Sequence, residues 1–338
     1  MRRNRIVTLL LAAVLAASAT ACTASDEKSS GESGGEGFPI TVEHTYGTTT
    51  IESKPERVAT VAWANHEVPL ALGVTPVGMS KATWGDDNGN GILPWVEDKL
   101  DELGGEKPAL FDETDGIDFE AVANTEPDVI LAGYSGVTKQ EYDKLSQIAP
   151  TVAYPKVPWG TSWQDMVKID SKAMGMETQG DELIDRLNDR VGASLNRHPE
   201  LKSTKPLFVF LDPTDTSKIG YYTANDTRAG FLREIGLPLP AQVAKATDES
   251  EEFYVEVSAE KADLFKDVGL FVTYGTEATK AQLQADPLLN KIPAVKEGRI
   301  AILPDGTPLA SMANPSPLSI PWGIDRYFDT LATGLKTS

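Results

Sequence analysis

One stretch near the middle of the chain, residues 163–197, repeats apolar side chains at helical spacing. Its apolar positions recur every three or four residues, which is the period of one helix face. Gly175 and Gly180 interrupt the stretch, which predicts two helices. Roughly 20 residues at a rise of 1.5 Å make the second helix about 30 Å long. Strand and helix patterns alternate on both sides of the stretch. The second helix is therefore expected to be a rigid connection between two lobes. A crossover helix inside one larger sheet is the alternative.

Short apolar runs alternate with amphipathic segments on both sides of that stretch. The runs typical of buried strands are residues 57–63, 76–79, 128–132, 206–211, 270–274 and 299–303. The segments typical of helices are residues 94–103, 139–148, 227–235 and 317–335. This alternation favours parallel sheets covered by helices on both faces. It predicts an α/β fold with two Rossmann-like lobes, each with a central β-sheet, at residues 38–160 and 201–338, joined by a single long connecting helix within residues 161–200.

Residues 1–21 have the layout of a secretory signal peptide. Three arginines open the segment, an apolar run follows at residues 6–17, and small residues end it at 18–21. The apolar run is too short to span a bilayer as a permanent anchor. We therefore expect export of the chain and removal of residues 1–21.

Cys22 follows directly and is the only cysteine in the chain, so no disulfide can form within it. Residues 19–22, Ala-Thr-Ala-Cys, resemble the lipobox of bacterial lipoproteins, although Ala19 stands where leucine is usual. The resemblance implies that Cys22 carries a lipid and becomes the mature N-terminus. Residues 22–37 are acidic and rich in Ser and Gly, which predicts a disordered tether between the lipid anchor and the lobes.

The chain is strongly acidic. It has 31 Lys and Arg against 50 Asp and Glu, and without the three arginines of the signal peptide the net charge is −22 (28 against 50). Such a surface repels nucleic acid and anionic lipid, so we expect no nucleic-acid partner. It favours a neutral or cationic ligand, or a partner that presents basic pockets. Solubility alone is the other explanation of the charge.

The motifs of common enzyme classes are absent from the sequence. Its three histidines, His44, His66 and His198, do not stand at metal-ligand spacing. There is no Gly-x-Ser-x-Gly elbow, no Walker loop and no Gly-x-Gly-x-x-Gly after a strand. We therefore expect no enzymatic activity and no resident cofactor.

One segment matches the calcium-loop pattern, with Asp86, Asn88 and Asn90 at alternate positions, Gly91 next, and Glu97 closing the loop. The residues before Asp86 read as strand and loop rather than helix, and a helix starts at Pro94, inside the loop. A polar turn that leads into a helix explains the same residues. The calcium site and the turn both stay open.

Aromatic residues cluster at the ends of predicted strands or just after them. In open α/β sheets the crevice outside the carboxyl ends of the strands is the usual ligand site. Aromatic rings with a few hydrogen-bond donors suit a bulky organic ligand that is partly apolar and rich in oxygen. The candidate ligand-binding residues are Trp84, Tyr134, Trp159, Tyr221, Tyr222, Tyr254 and Trp322. Core packing should claim about half of the aromatic residues, Tyr274 and Trp63 most readily.

Five segments together resemble the ferric-siderophore substrate-binding proteins of ABC importers, a class III periplasmic binding protein family. They are residues 67–78 (EVPLALGVTPVG), 119–154 (with EPDVIL and KLSQIAPTVAY), 230–237 (GFLREIGL), 257–272 (VSAEKADLFKDVGLFV) and 286–303 (DPLLNKIPAVKEGRIAIL). The similarity covers residues 38–334 in the expected order. It implies a monomeric, lipid-anchored receptor on the extracytoplasmic face of the cell membrane. This receptor would hold an iron(III)-siderophore between two lobes, close by a modest motion, and deliver it to an ABC permease with its ATPase.

The resemblance also implies roles for particular residues. In that family one glutamate on each lobe docks into arginine pockets of the permease, and Glu67 and Glu234 occupy the corresponding segments. Arg228, at the start of the 227–235 helix, would donate to hydroxamate or carboxylate oxygens around the ferric ion. A salt bridge or a solvated helix start is the other explanation of Arg228.

The charge distribution bears on the siderophore class. The candidate cleft segments carry only Lys81, Lys156, Lys218 and Arg228 as basic residues. Because catechol complexes are strongly anionic, this favours a hydroxamate siderophore, with carboxylate siderophores such as citrate left open. Haem or a corrinoid is the first alternative ligand, and Tyr134 or Tyr254 would then serve as an axial ligand for haem. A cell-surface α/β enzyme is the second alternative, and it would need a polar catalytic cluster.

Overall fold

The computed structural model describes residues 37–211 and 215–336. The predicted signal peptide, Cys22 and nearly all of the predicted tether lie outside these ranges. The described part starts with a hairpin of β1 (Ile40–His44) and β2 (Gly47–Ile51), in which Ile40 pairs with Ile51. Among the described residues, none of the helices has the length and apolar character needed to cross a membrane.

The first lobe is built on a five-stranded parallel sheet in the order β5-β4-β3-β6-β7. Its strands are β3 (Val58–Thr60), β4 (Gly78–Ser80), β5 (Ala109–Phe111), β6 (Val129–Leu131) and β7 (Thr151–Val152). Its helices are α1 (Glu67–Ala71), α2 (Pro94–Leu103), α3 (Phe119–Asn124) and α4 (Lys139–Leu145). Strands β3 and β6 are buried at every position, which explains why their sequences are apolar runs rather than alternating ones.

Two helices follow the first lobe, α5 (Trp163–Ala173) and α6 (Glu177–Leu195). The Ser162 side chain caps α5, and Gly175 ends the turn after it with φ of +67°, a conformation that favours glycine. Gly180 does not break a helix as predicted. It lies inside α6, where a Cβ would stand 2.1 Å from the Ser171 hydroxyl, so this glycine allows α5 and α6 to pack closely. The connecting helix α6 has 19 residues, close to the predicted length.

The second lobe is built on a mixed sheet in the order β10-β9-β8-β11-β12. Its strands are β8 (Pro206–Phe210), β9 (Lys218–Tyr222), β10 (Tyr254–Ser258), β11 (Leu270–Gly275) and β12 (Ile300–Pro304). Strands β8, β11 and β12 are parallel, whereas β9 and β10 run antiparallel to their neighbours at one edge. This antiparallel edge was not predicted from the sequence.

Helices cover the second sheet and tie it to α6. They are α7 (Thr227–Glu234), α8 (Ala241–Glu249), α9 (Glu277–Ala285), α10 (Pro293–Lys296), α11 (Pro308–Ser311) and α12 (Ser319–Gly334), with 3-10 turns at Pro199–Leu201, Ala259–Phe265 and Leu289–Lys291. Helix α12 packs against α6 and β12. Its Asp325 accepts hydrogen bonds from Arg190 and Ser194 of α6, each at 2.6 Å. The predicted fold of two α/β lobes with a long connecting helix is confirmed, and the predicted residue limits of the lobes stay predictions.

Candidate functional site

A cavity of about 350 Å³ lies between the two lobes. The first lobe contributes Trp63, Trp84, Tyr134 and Trp159, and the second lobe contributes Asp226, Arg228, Phe253, Ser311 and Asn314. The four first-lobe residues follow the carboxyl ends of β3, β4, β6 and β7, as expected for a parallel sheet. The volume is within the range of small-molecule sites.

A strained turn holds Trp63 in the cavity wall. Ala62 and Ala64 on either side have φ of +62° and +64°, which residues other than glycine rarely adopt. The Asn65 side chain, 0% exposed, fixes this turn by donating to the carbonyls of Val61 (2.7 Å) and Tyr134 (2.9 Å) and accepting from the Tyr134 N–H (2.8 Å). Asn65 thus ties the backbone of the Trp63 turn to the backbone of Tyr134. These hydrogen bonds hold the strained turn in place.

Glu113, two residues after β5, supports the same turn. Its carboxylate accepts from the Ala62 N–H at 2.9 Å and from the Ser80 hydroxyl at 3.2 Å. Burial raises the pKa of Glu113 to about 7, and the hydrogen bond from Ala62 opposes that rise. The carboxyl group behind Trp63 therefore titrates near neutral pH.

Trp159 and Tyr134 form a second aromatic pair of the first lobe. The backbone N–H of Trp159 donates to the Ser135 carbonyl at 2.9 Å, and the Trp159 ring meets the Tyr134 ring edge-on at 5.4 Å. The indole also lies against Gly136, where a Cβ would come within 2.2 Å of the indole nitrogen, so only glycine fits there. Trp159 is thereby held half-buried in the wall of the cavity.

Tyr134 links the two lobes at the cavity. Its hydroxyl accepts from the Asn314 side-chain amide at 3.0 Å and lies 3.4 Å from the Thr227 hydroxyl. Thr227 in turn donates to Asn314 at 2.6 Å. Burial raises the pKa of Tyr134, so its hydroxyl is protonated at neutral pH.

Arg228 provides the charged group of the second lobe. Its guanidinium donates to Asp226 at 2.8 Å and to the Tyr274 hydroxyl at 2.8 Å, and it lies 4.6 Å from the centre of the Tyr222 ring. Burial acts to lower the pKa of Arg228, but Asp226 holds it well above its ordinary value, so the group stays charged. The salt bridge and the position in the cavity, which the sequence analysis treated as alternatives, are both observed. The Nη2 donors make no hydrogen bond to a described residue and are free for a ligand.

Two of the predicted ligand-binding residues lie away from this cavity. Tyr221 is 0% exposed, packs on Phe265 at 5.4 Å and accepts a hydrogen bond from Gln242, so its assignment to the cleft is wrong. Successive strand residues face opposite sides of a sheet, and the neighbouring Tyr222 faces Arg228 instead. Trp322 does not line the cavity either, because its ring lies against Trp95 and under the Arg326 guanidinium.

Tyr222 and Tyr254 line an adjoining cavity of about 400 Å³. Their rings are 5.4 Å apart. Phe253, which is 39% exposed, lines both cavities. The two tyrosines therefore lie beside the main cavity, on the side of β9 and β10, and do not line it.

Several cavity residues were not predicted. Trp63 was expected in the core but lines the cavity. Tyr274, also expected in the core, lies behind the cavity wall, where its hydroxyl accepts from Arg228 and its ring touches the Trp84 ring edge-on at 5.4 Å. The remaining unpredicted residues are Asp226, Phe253, Ser311 and Asn314. A usable signal existed for Asp226, because an aspartate two residues before Arg228 is a typical helix cap.

Glu67 does not lie on the surface. It is 1% exposed and accepts hydrogen bonds from Trp95, Ser316 and Leu318. A carboxylate enclosed in this way cannot enter a basic pocket of another protein, so the assignment of Glu67 to permease docking is wrong. Glu234 is exposed at the end of α7, and its docking role stays a prediction.

The predicted calcium loop is a closed set of hydrogen bonds. Asp86 accepts from the N–H groups of Gly89 (3.0 Å) and Gly91 (2.6 Å). The amides of Asn88 and Asn90 donate to the two oxygens of Glu97 at 3.1 and 2.9 Å. Within residues 37–211 and 215–336 there is no group of three or more His, Cys, Asp or Glu side chains that could hold a metal. The loop bonds fit a polar turn, and calcium binding stays a prediction.

The two-lobed fold with an aromatic cavity between the lobes is that of a substrate-binding protein. Residues 58–307 match the family described as periplasmic binding protein, and the chain belongs to that family. The resemblance stated from the sequence is therefore confirmed.

Named relatives agree with this assignment. The chain is 28% identical over 290 residues to the probable siderophore-binding lipoprotein YfiY of Bacillus subtilis, covering 82% of this chain and 84% of YfiY. It is 24% identical over 279 residues to the Fe(3+) dicitrate-binding periplasmic protein FecB of Escherichia coli, covering 80% and 84%. The structure of Streptococcus pneumoniae PiaA in complex with ferrichrome is 48% identical, with a TM-score of 0.85, covering 88% of this chain and 99% of PiaA.

Proposed function

We propose that this protein is the extracytoplasmic receptor of an ABC importer and that it binds an iron(III)-siderophore of the hydroxamate type in the cavity between its lobes. The observation that carries this proposal is the composition of the cavity wall, with three indole rings and a tyrosine facing one ion pair. The 48% identity to PiaA, solved in complex with the hydroxamate siderophore ferrichrome, supports the same ligand class. The iron complex is cargo, and we propose no resident cofactor.

The charges of the cavity favour a ligand near neutrality. Arg228 is the only cationic side chain among the described residues that line it, and Asp226 compensates that charge. A catechol complex with several negative charges would find no further cation there. The Nη2 donors of Arg228 suit the paired oxygens of a hydroxamate, while the rings of Trp63, Trp84 and Trp159 supply apolar contact area.

The alternative ligands fit less well. An axial tyrosine for haem would have to lose its proton, whereas burial raises the pKa of Tyr134 and Asn314 donates to its hydroxyl. Tyr254 lies in the adjoining cavity. The chain belongs to a family of binding proteins, which supports binding without catalysis over the alternative of a cell-surface enzyme.

Intrinsic tryptophan fluorescence of the mature chain tests the ligand class. We expect submicromolar quenching by ferrichrome or ferrioxamine, because three indoles line the cavity, and weak or no response to ferric citrate, a ferric catecholate, haem and cobalamin. Tighter binding of haem or cobalamin than of every iron chelate would contradict the proposal, as would silence across the whole panel.

For its partners, we propose a permease with its ATPase, a monomeric state and a lipid anchor on Cys22. Glu234 is the candidate docking residue of the second lobe. Glu234→Gln should reduce siderophore uptake by cells without changing ligand affinity, while Glu182→Gln, at an exposed position of α6, should change neither. Unchanged uptake in Glu234→Gln would remove the docking assignment. Mass spectrometry of the membrane-extracted protein tests the lipid on Cys22.

A further inference from the structure

A buried carboxylate crosses from one lobe to the other. Glu67 lies in α1 of the first lobe, and one of its oxygens accepts from the Ser316 hydroxyl at 2.5 Å and from the Leu318 N–H at 3.0 Å. Ser316 and Leu318 belong to the second lobe and stand just before α12. The other oxygen accepts from the indole N–H of Trp95 in α2 at 2.8 Å. These four residues, Glu67, Trp95, Ser316 and Leu318, form what we call the inter-lobe clamp.

The clamp supplies a helix cap from the opposite lobe. The first N–H groups of an α-helix have no partner within the helix. At the start of α12 the Ser319 N–H donates to the Ser316 hydroxyl at 3.3 Å, and the Leu318 N–H directly before it donates to Glu67. A carboxylate at this end of a helix is also favoured by the helix dipole.

Two donors of the clamp, the indole N–H of Trp95 and the N–H of Leu318, have Glu67 as their acceptor. Trp95 is buried, and a buried indole N–H needs an acceptor. The Ser316 hydroxyl has a second contact to the Ser319 hydroxyl at 2.7 Å, which orients it towards Glu67. Without the carboxylate, the buried indole N–H and the partly buried Leu318 N–H would lose this acceptor, which disfavours contact between the lobes at this point.

The clamp lies next to the cavity but not in it. None of its members is among the residues that line either cavity between or beside the lobes. Ser316 stands two residues after Asn314, which lines the cavity and donates to the Tyr134 hydroxyl. On the other side, the rings of Trp95 and of Trp322 in α12 are 5.0 Å apart. Any shift of residues 316–318 therefore moves Asn314 and α12 with it.

We propose that Glu67 is a positioning residue that holds the second-lobe segment 314–318 against the first lobe and thereby sets the opening of the cleft. The effect on ligand affinity rests on the proposed function, whereas the effect on lobe geometry does not. The contact of Tyr134 with Asn314 lies in the cavity wall, where a ligand would bind. The clamp lies outside the cavity, so it can restrict the lobes in the free and the bound protein alike.

Distance measurements between the lobes test this assignment. Spin labels are attached at Glu106→Cys in the first lobe and Glu249→Cys in the second, both exposed, in the mature chain with Cys22→Ser. In the parent we expect one narrow distance distribution. Glu67→Gln, which keeps the size of the side chain but turns an amide donor towards the donors of the clamp, should broaden the distribution and add a longer component.

Glu113→Gln is the matched control. Glu113 is also a largely enclosed carboxylate, but its hydrogen-bond partners Ala62 and Ser80 both belong to the first lobe. The Glu113→Gln variant should therefore leave the distance between the lobes unchanged. Equal distributions in Glu67→Gln and the parent, or an equal shift in Glu113→Gln, would overturn the proposal.

A second variant covers the case in which Glu67→Gln folds poorly. Ser316→Ala removes one donor of the clamp from the side of the second lobe and should shift the same distance in the same direction by less. If the lobe arrangement that can bind the ligand falls to about a tenth of the population, the apparent affinity for ferrichrome falls about tenfold. Absence of ferrichrome binding in the parent would contradict the proposed function but leave the distance test intact. An unchanged distance in Ser316→Ala together with unchanged ferrichrome affinity would contradict the clamp.

Discussion

The two walls of the cleft are built on different principles. The first lobe presents Trp63, Trp84, Tyr134 and Trp159 on turns after parallel strands, and side chains such as Asn65 fix those turns through the backbone. The second lobe presents the Asp226–Arg228 ion pair after an antiparallel strand, backed by tyrosine rings. This difference predicts how a substitution in each wall will affect the protein. A ring of the first wall adds contact area, whereas each charge of the second wall neutralises the other.

The largest expected effect is on the second wall. Arg228→Ala leaves the Asp226 carboxylate, 2% exposed, without its partner. Breaking a buried ion pair from one side should lower the free energy of unfolding by about 3–5 kcal/mol. Urea denaturation of the variant measures the loss. The double variant Asp226→Asn/Arg228→Met should recover part of it, and an unchanged urea midpoint in Arg228→Ala would contradict the comparison of the walls.

The next prediction compares Glu113, which supports the first wall, with Glu67, which joins the two lobes. Burial raises the pKa of each to about 7, above the value near 4.5 expected in the unfolded chain. The folded protein therefore binds more protons than the unfolded chain between these values. The stability that this contributes is fully present below pH 4.5 and is lost as pH rises through 7.

Urea denaturation of the parent, Glu67→Gln and Glu113→Gln at pH 5 and pH 8 checks this. Relative to each variant, the parent should lose stability between the two pH values, by up to about 3 kcal/mol for Glu67 and less for Glu113, which is partly exposed. The neighbouring His66 does not alter this comparison, because it is present in all three proteins and burial lowers its pKa to about 4. Parallel pH profiles of the parent and both variants would be the contrary result.

A third prediction isolates the apolar contribution of the first wall. Trp159→Ala should weaken siderophore binding by about 1.5–3 kcal/mol, the free energy of burying one large side chain. Trp322→Ala is the comparison, because Trp322 lies outside the cavity and adds no ring to its wall, so its loss should lower stability and weaken binding less than Trp159→Ala does. Calorimetric titration of both variants gives the two affinities. Equal losses of affinity would mean that the first wall has no special share in binding.

The sequence predicted the first wall better than the second for a physical reason. In a parallel sheet the carboxyl ends of the strands share one edge, so the position of Trp84, Tyr134 and Trp159 along the chain was enough to bring them together. In the second lobe the antiparallel β9 departs from that rule, and neighbouring tyrosines had to be assigned to opposite faces. The sequence marked Tyr221 and Tyr222 alike, while only contacts with Phe265 and Arg228 distinguish them.

Glu67 marks the limit of what local pattern can predict. It stands at the start of a helix, where an exposed acidic residue is common, and its segment resembled a docking site. Its burial comes from Trp95 and from Ser316, which is 249 residues away in the sequence. No spacing within α1 encodes a partner at that separation, so the burial of Glu67 followed only from the assembled fold.

The smallest expected effect concerns a hydrogen bond that joins the two walls, from Asn314 to Tyr134. Tyr134→Phe removes the hydroxyl that accepts from Asn314, at a cost of about 0.5–1.5 kcal/mol in stability, and leaves the ring in the cavity. Because the apolar contact survives, affinity for a hydroxamate siderophore should change less than in Trp159→Ala. Tyr274→Phe, which removes a hydroxyl within the second lobe, is the control for the loss of a hydroxyl as such.

A haem protein with Tyr134 as axial ligand would instead lose binding in Tyr134→Phe. Stopped-flow fluorescence of ferrichrome and haem dissociation from both variants distinguishes a bridge between the walls from a metal ligand.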